Sequence, residues 1–323
     1  MRIIIPGPPG TGKTHHLINH YLTKELVEHK TIPERIAFIS FSNASADTAR
    51  QRAEELFPGK DFKYFTTMHS LGARELRINT KEKLLQGSKW NSFKNFSVVC
   101  KNMSFETYLG DSGIPQYEDN HMKIINYARS KKLTILDAAV ELDLHQYVDI
   151  WLTEQIDQDL KSYKEQTKMI EFSDMIDEFI KKDKCPSLDA VFLDEAQDLS
   201  PSQWDMFFYI ESRCERSYIA GDDDQTIYTF QGADPDIFIN LKGTYDARIK
   251  SRRVPKKIYD VAVSILSQIE TRLPKKWEPK EEEGNVYNNI FLEDIDFSKG
   301  KWFVLTRTNN ELKPIAEHLE SIH

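Results

Sequence analysis

The stretch Gly7-Pro8-Pro9-Gly10-Thr11-Gly12-Lys13-Thr14 constrains this chain more than any other. It fits the pattern G-x-x-x-x-G-K-[ST] and sits between two readable elements. Before it, Ile3-Ile4-Ile5 reads as a buried strand; from Lys13 onward the residues read as a helix. That strand-loop-helix context gives the match its physical meaning. Glycines allow backbone N–H groups to turn inward around phosphate oxygens, and the helix N-terminus adds positive field. Lys13 would neutralise β- and γ-phosphates, and the Thr14 hydroxyl would ligate Mg²⁺. The plain alternative is a Gly/Pro-rich turn ahead of a helix. With all four fixed positions filled, a nucleoside-triphosphate site is the expectation.

The 323 residues leave room for two domains and an insertion. A hydrophobic share of 40% beside 29% charged residues is typical of a soluble globular chain. No apolar run reaches the length of a membrane span, so no membrane partner is expected. The first strand follows Met1 directly, and no signal peptide is expected. Cys100, Cys185 and Cys214 are scattered without C-x-x-C spacing, which suggests neither disulfides nor zinc and fits a reducing, cytoplasmic setting. A net charge of −8 argues against gripping duplex DNA mainly by phosphate neutralisation. Single-strand binding by base stacking stays open.

Strand and helix alternate along the first part of the chain. A helix is expected over 13–29, a strand at Ile36-Ala37-Phe38-Ile39-Ser40, a helix to about Leu56, and a short strand at Phe62-Lys63-Tyr64-Phe65. This is the rhythm of an α/β fold with a parallel sheet and crossover helices. Over 78–162 the strand signals vanish, and helical stretches at 122–131 and 135–163 suggest a helical insertion. There, several lysines interleave with Trp90, Phe93 and Phe96. They form either a basic-aromatic face for nucleic acid or a solvated helix over a small core.

The sheet rhythm returns at Ala190-Val191-Phe192-Leu193, which runs into Asp194-Glu195. Asp194 can hold Mg²⁺ through water, and Glu195 can orient and deprotonate an attacking water. Two solvated acids at a strand end are the bland reading, and the upstream phosphate loop weighs against it. Downstream, Ser217-Tyr218-Ile219-Ala220 leads into Gly221-Asp222-Asp223-Asp224-Gln225, which puts the Gln225 amide at the same sheet edge. Tyr228 and Phe230 follow at alternating positions and could offer ring faces to bases.

Taken together, these strings resemble the UvrD/Rep/PcrA branch of superfamily 1 helicases. Residues 7–14 are similar to motif I, Phe41-Ser42-Asn43 to motif Ia, and Thr67-Met68-His69-Ser70-Leu71-Gly72 to T-x-H-S-x-G. Phe172-Ser173-Asp174-Met175 resembles D-F-x-D-L, Asp194-Glu195-Ala196-Gln197-Asp198 motif II, and residues 221–233 motif III. Arg252-Arg253-Val254-Pro255 stands in the place of N-Y-R-S-P, and Leu305-Thr306-Arg307-Thr308-Asn309 is similar to L-x-R-T-N.

The resemblance implies a RecA-like P-loop NTPase that hydrolyses ATP with Mg²⁺ and moves 3′→5′ on single-stranded DNA, engaging duplex junctions. By position, Lys13, Thr14, Asp194, Glu195 and Gln225 would form the ATP site, with Gly7, Pro8, Pro9, Gly10, Thr11 and Gly12 as its loop. Arg253 would reach the γ-phosphate, and Arg252 would stand where a Tyr usually stacks on adenine. Phe41, Asn43, His69, Tyr228 and Phe230 would contact the DNA strand. The implied layout is a first RecA-like domain over 1–77 and 163–244, the insertion over 78–162, and an incomplete second RecA-like domain over 245–323.

Several departures from the family pattern carry expectations. No L-N-x-x-Q segment precedes the first strand. Ala44 and Gln231 replace customary basic residues, so a shallower salt dependence of DNA binding is expected. The last segment is expected to form a helix over 256–269, strands near 286–291 and 302–305, and a helix over 311–321. The chain reaches His323 without the family's last motifs, including an arginine worth ~10³–10⁵ in rate. The expectation is a truncated motor, or one that needs a second chain, with weak hydrolysis alone. Two other classes compete: a non-catalytic nucleotide-dependent single-strand-binding module and a small-molecule kinase. The motif II string and the stacking aromatics weigh against the kinase.

Overall fold

In the apolar runs around Ile4, Phe38, Phe192 and Ile219, alternate residues enter two different cores. Ile4, Ala37, Ile39, Val191, Leu193 and Ile219 face one side with Trp204, Phe207, Phe179 and Phe238. Ile3, Ile5, Ile36, Phe38, Phe192, Tyr218 and Ala220 face the other with Leu17, Ile18, Leu22, Ala49 and Ala53. A period of two with both faces buried is the condition for a parallel sheet covered by helices on both sides.

The computed structural model describes residues 1–323 apart from 102, 104, 106, 110–114, 118, 307, 308 and 323. Its strands are β1 (Arg2–Pro6), β2 (Ile36–Ile39), β3 (Tyr64–Thr66), β4 (Thr107–Leu109), β5 (Pro115–Tyr117), β6 (Ala190–Leu193), β7 (Arg216–Gly221) and β8 (Thr244–Tyr245). Six of them form one sheet in the order β3-β2-β6-β7-β1-β8, and every pair is parallel. Parallel strands align their carboxyl ends on one rim, where such sheets bind ligands. The loops after β1, β6 and β7 therefore share an edge.

The first helix departs from expectation in detail. It is α-helical over Lys13–His16 and Thr23–Val27, with a π-helical stretch Leu17–Leu22 between them. The helical insertion expected over 78–162 also contains the antiparallel pair β4-β5. The long helix expected over 135–163 is two helices, Ile135–Glu141 and Ile150–Thr167. Thr134 caps the first and Asp149 the second, each accepting a backbone N–H with its side chain. Asp143 between them has a positive φ of 55°, which no helix tolerates.

This inserted region has its own core. Trp90, Phe93, Phe105, Tyr117, Met122, Ile156, Leu160 and Tyr163 pack together. Trp90 and Phe93 are thus core residues, and of the three aromatics in the lysine-rich stretch only Phe96 is exposed. Burial of two large rings outweighs any gain from presenting them to solvent. The chain enters and leaves the region side by side, with Leu85 N–H donating to Ile170 O at 2.8 Å and Ile170 N–H to Lys83 O at 2.9 Å.

The chain divides into two compact units, Met1–Glu282 and Glu283–His323. The second contains a short 3-10 turn, Leu292–Asp294, and the helix Asn309–Ile322. The strands expected near 286–291 and 302–305 do not form among the described residues. A strand exists only through a ladder partner, and none is paired here; Tyr287, Phe291, Phe303 and Leu305 are largely exposed. In the segment Leu305-Thr306-Arg307-Thr308-Asn309, Arg307 and Thr308 lie outside the described residues.

Candidate nucleotide and nucleic-acid sites

The loop after β1 is shaped by its own short contacts. Gly10 and Gly12 take positive φ values of 75° and 81°, a region that residues with a Cβ rarely enter. A Cβ on Gly10 would also lie 2.6 Å from both Arg253 Cβ and Ser251 Oγ. The Thr11 hydroxyl donates to Pro8 O at 2.8 Å, and Lys13 Nζ donates to Gly7 O at 2.7 Å. The lysine is buried within the loop it is expected to serve.

Two strands away, β6 delivers Asp194, whose N–H donates to Ile39 O at 2.9 Å. Its Oδ2 accepts the Thr14 hydroxyl at 2.6 Å, which joins the loop to the acid. Burial, with help from the neighbouring charge of Glu195, pushes the Asp194 carboxyl up to about 6. Glu195 is held in the left-handed region at φ 54°, and its Oε2 accepts from Gln197 Nε2 at 2.9 Å. Gln197 Oε1 in turn accepts the Asp222 N–H at 2.9 Å, and Gln225 Nε2 donates to Asp222 Oδ2. A continuous hydrogen-bonded path thus runs Glu195–Gln197–Asp222–Gln225. The register of β1 on β7 places Pro6 opposite Gly221, with Gly7 N–H donating to Gly221 O at 3.2 Å.

The segment beyond β8 closes over the loop. Arg248 N–H donates to Pro6 O at 2.8 Å, Ser251 Oγ to Pro9 O at 2.9 Å, and Arg252 N–H to Gly10 O at 2.8 Å. A cavity of 660 Å³ lies against the loop, lined by Gly10, Gly12, Arg52, Glu55, Arg252 and Arg253 among others. Both arginines expected at the nucleotide are exposed on it. Gln197 and Ser251 join the site beyond the residues that the sequence singles out. Gln197 had a visible signal inside the motif II string; Ser251 had none.

The residues expected to meet DNA divide into two sets. Phe41, His69 and Phe230 line a cavity of 450 Å³, together with Phe172 and with Asn120, Lys123 and Asn126 from the inserted region. Tyr228 and Asn43 are not among its lining residues. Tyr228 packs on Phe41 with ring centroids 4.6 Å apart, and its ring lies 6.2 Å from Phe230. Asn43 opens the helix Asn43–Leu56 and accepts from Ser70 Oγ at 3.5 Å. Burial pushes the His69 imidazole down to about 4, so it is neutral at physiological pH. Phe230 is 58% exposed, a large apolar ring left on a cavity rim. On the same cavity, burial and the charge of Glu195 push the Asp198 carboxyl up to about 7.

A parallel sheet with a phosphate loop after β1 and paired acids after β6, two strands away on the same rim, defines a RecA-like P-loop NTPase fold of the helicase kind. The model of the UvrD/REP helicase N-terminal domain matches residues 2–246, and the chain belongs to that family. A Bacillus subtilis protein named ATP-dependent DNA helicase PcrA is 23% identical over 320 residues, covering 93% of this chain and 42% of the relative. ATP-dependent DNA helicase Rep of Buchnera aphidicola is 26% identical over 262 residues, covering 72% of this chain and 37% of the relative. A probable DNA helicase II homolog of Mycoplasma capricolum is 24% identical over 294 residues, with 83% and 39% covered. The chain therefore spans less than half the length of these relatives. Among the described residues no helix is long and apolar enough to cross a membrane.

Proposed function

We propose that this chain binds ATP and single-stranded DNA as part of a 3′→5′ translocase or helicase of the UvrD type, acting in the cytoplasm on single strands and duplex junctions. The observation that carries the reading is the contact between Thr14 Oγ1 and Asp194 Oδ2, which unites the phosphate loop and the buried acid at one rim. Lys13 and the loop N–H groups bind the triphosphate. Thr14 and Asp194 would hold Mg²⁺. The fit is chemical: the Thr14 hydroxyl and the buried Asp194 carboxyl supply two hard oxygen donors 2.6 Å apart. Held there, such an ion would supply positive charge against the charge that develops on the phosphate. Glu195 orients the attacking water and takes its proton at a carboxylate oxygen. Gln225 reads the γ-phosphate, and Arg253 approaches it from above the loop. The first RecA-like domain is proposed over 1–77 and 163–244, with the insertion over 78–162.

Phe41, Tyr228 and Phe230 supply ring faces for bases, supported by the tilted ring contacts of Tyr228 with the other two and by the exposure of Phe230. Phe230→Ala should weaken binding to a fluorescent oligonucleotide by about 5–100-fold, the range of one base–aromatic stack. Nucleotide affinity should stay unchanged in the same variant. Unaltered oligonucleotide affinity would remove the aromatic tier from the nucleic-acid site.

A further inference from the structure

Three consecutive carboxylates, Asp222, Asp223 and Asp224, follow β7 and are nearly closed to solvent. Packed together, like charges repel strongly at low dielectric, so cations from elsewhere must compensate them. Those cations come from a segment about fifty residues downstream. Lys275 Nζ, with its side chain only 3% exposed, donates to Asp222 Oδ1 and Asp223 Oδ1 and lies 2.9 Å from Asp224 Oδ2. Arg272 grips Asp224 with two bonds of 2.8 and 2.6 Å, and Leu273 N–H donates to Asp223 Oδ2 at 2.8 Å. Burial works against the ammonium, but Asp222 and the hydrogen bonds to all three aspartates hold its pKa above the ordinary lysine value.

The partners divide unequally. Arg272 serves Asp224 and the Leu273 N–H serves Asp223, whereas Asp222 faces two ways. One of its oxygens meets Lys275; the other accepts from Gln225 Nε2. Its N–H is held by Gln197, which is bonded to Glu195. With Oδ1 pinned, the carboxylate plane cannot rotate without breaking a charge-assisted bond, so Oδ2 presents a fixed acceptor to Gln225. Gln225 is otherwise exposed, and an unheld glutamine would spread over several rotamers.

We infer that Lys275 is a positioning residue for the nucleotide site: acting through Asp222, it fixes the Gln225 amide that reads the γ-phosphate. This rests on the proposed ATP reading. The test compares the full chain's affinity for ADP and for the non-hydrolysable β,γ-imido analogue of ATP, both with Mg²⁺. Lys275→Gln should lower the preference for the triphosphate about fivefold, one hydrogen bond's worth, with ADP affinity held within about twofold. Gln225→Ala should cause the same loss, and the double variant no further loss, since both act on one contact.

If Lys275→Gln does not fold by circular dichroism, Lys275→Arg takes its place. A planar guanidinium keeps the charge but cannot converge on three carboxylates as a point donor does, so the same loss of preference is expected. Equal weakening of both nucleotides, additive losses, an unchanged preference, or failure of both variants to fold would overturn the inference and leave Lys275 a purely structural lock. Unmodified protein that binds neither nucleotide would instead overturn the ATP reading itself.

Discussion

Glu195→Gln is expected to lower the rate of ATP hydrolysis by about 10²–10⁴-fold while leaving nucleotide affinity within about twofold. The amide keeps the size and shape of the carboxylate and its contact with Gln197, so the left-handed turn at Glu195 need not move. What it removes is the capacity to accept a proton from water. Asp194 cannot substitute, because its Oδ2 is already engaged by the Thr14 hydroxyl and it sits deeper in the sheet. Single-turnover hydrolysis and binding of a fluorescent ATP analogue, measured with single-stranded DNA present, separate the two effects. An unchanged rate would favour the competing reading, a nucleotide-dependent binding module in which Glu195 has no chemical task. A comparable drop in affinity would mean that the acid shapes the pocket.

Arg129→Met should lower stability by about 3 kcal/mol, seen by calorimetry as a Tm lower by about 5 °C. Arg129, in the inserted region, donates to Asp157 at 2.6 Å and to Glu171, which is 2% exposed and caps the helix Phe172–Lys181. Lys164 joins the same cluster at 2.7 Å from Glu171 and 2.8 Å from Asp174. Removing one member of such a network costs more than the pair was worth, because the remaining charges stay buried without their partner. The cost falls at the low end of the usual range because Lys164 still faces Glu171 and Lys161 still faces Asp157.

The pH dependence follows from the same contacts. Burial, the largest single influence, would raise the carboxyls of Glu171 and Asp157, but Arg129 acting together with Lys164 at Glu171 and Lys161 at Asp157 holds both below their ordinary range. Carboxylates depressed in the folded state contribute stability above their unfolded values, near pH 4, and lose it as pH falls through the folded ones. Acid unfolding of Arg129→Met should therefore begin at a higher pH than that of the parent. Coincident acid transitions and a Tm shift under about 2 °C would show that the cluster does not hold the fold together.

Much of the candidate nucleotide site is legible in the sequence because it is written locally. Ile3-Ile4-Ile5 and Ala190-Val191-Phe192-Leu193 alternate between two cores as period-two patterning requires, and Asp194-Glu195 follow directly from the second run. Gly10 and Gly12 have positive φ, as a loop turned inward requires. The same local logic failed where a choice depended on a distant neighbour. Trp90 and Phe93 look alike on a nucleic-acid face and in a core, and only the packing of Phe105 and Tyr163 against them decides. The runs at 286–291 and 302–305 have strand composition, yet no paired neighbour makes them strands.

By itself, then, the sequence determined the parallel sheet, the phosphate loop and the acids at its rim, because backbone sterics and side-chain periodicity act over a few residues. Only the tertiary structure decided that Lys275 and Arg272 neutralise Asp222, Asp223 and Asp224, and that Ser251 bonds to Pro9 on the phosphate loop. A cation carries no mark of which carboxylate it will meet. That choice is settled by which segments the folded chain brings within about 3 Å of one another, where low dielectric makes every unpaired charge costly.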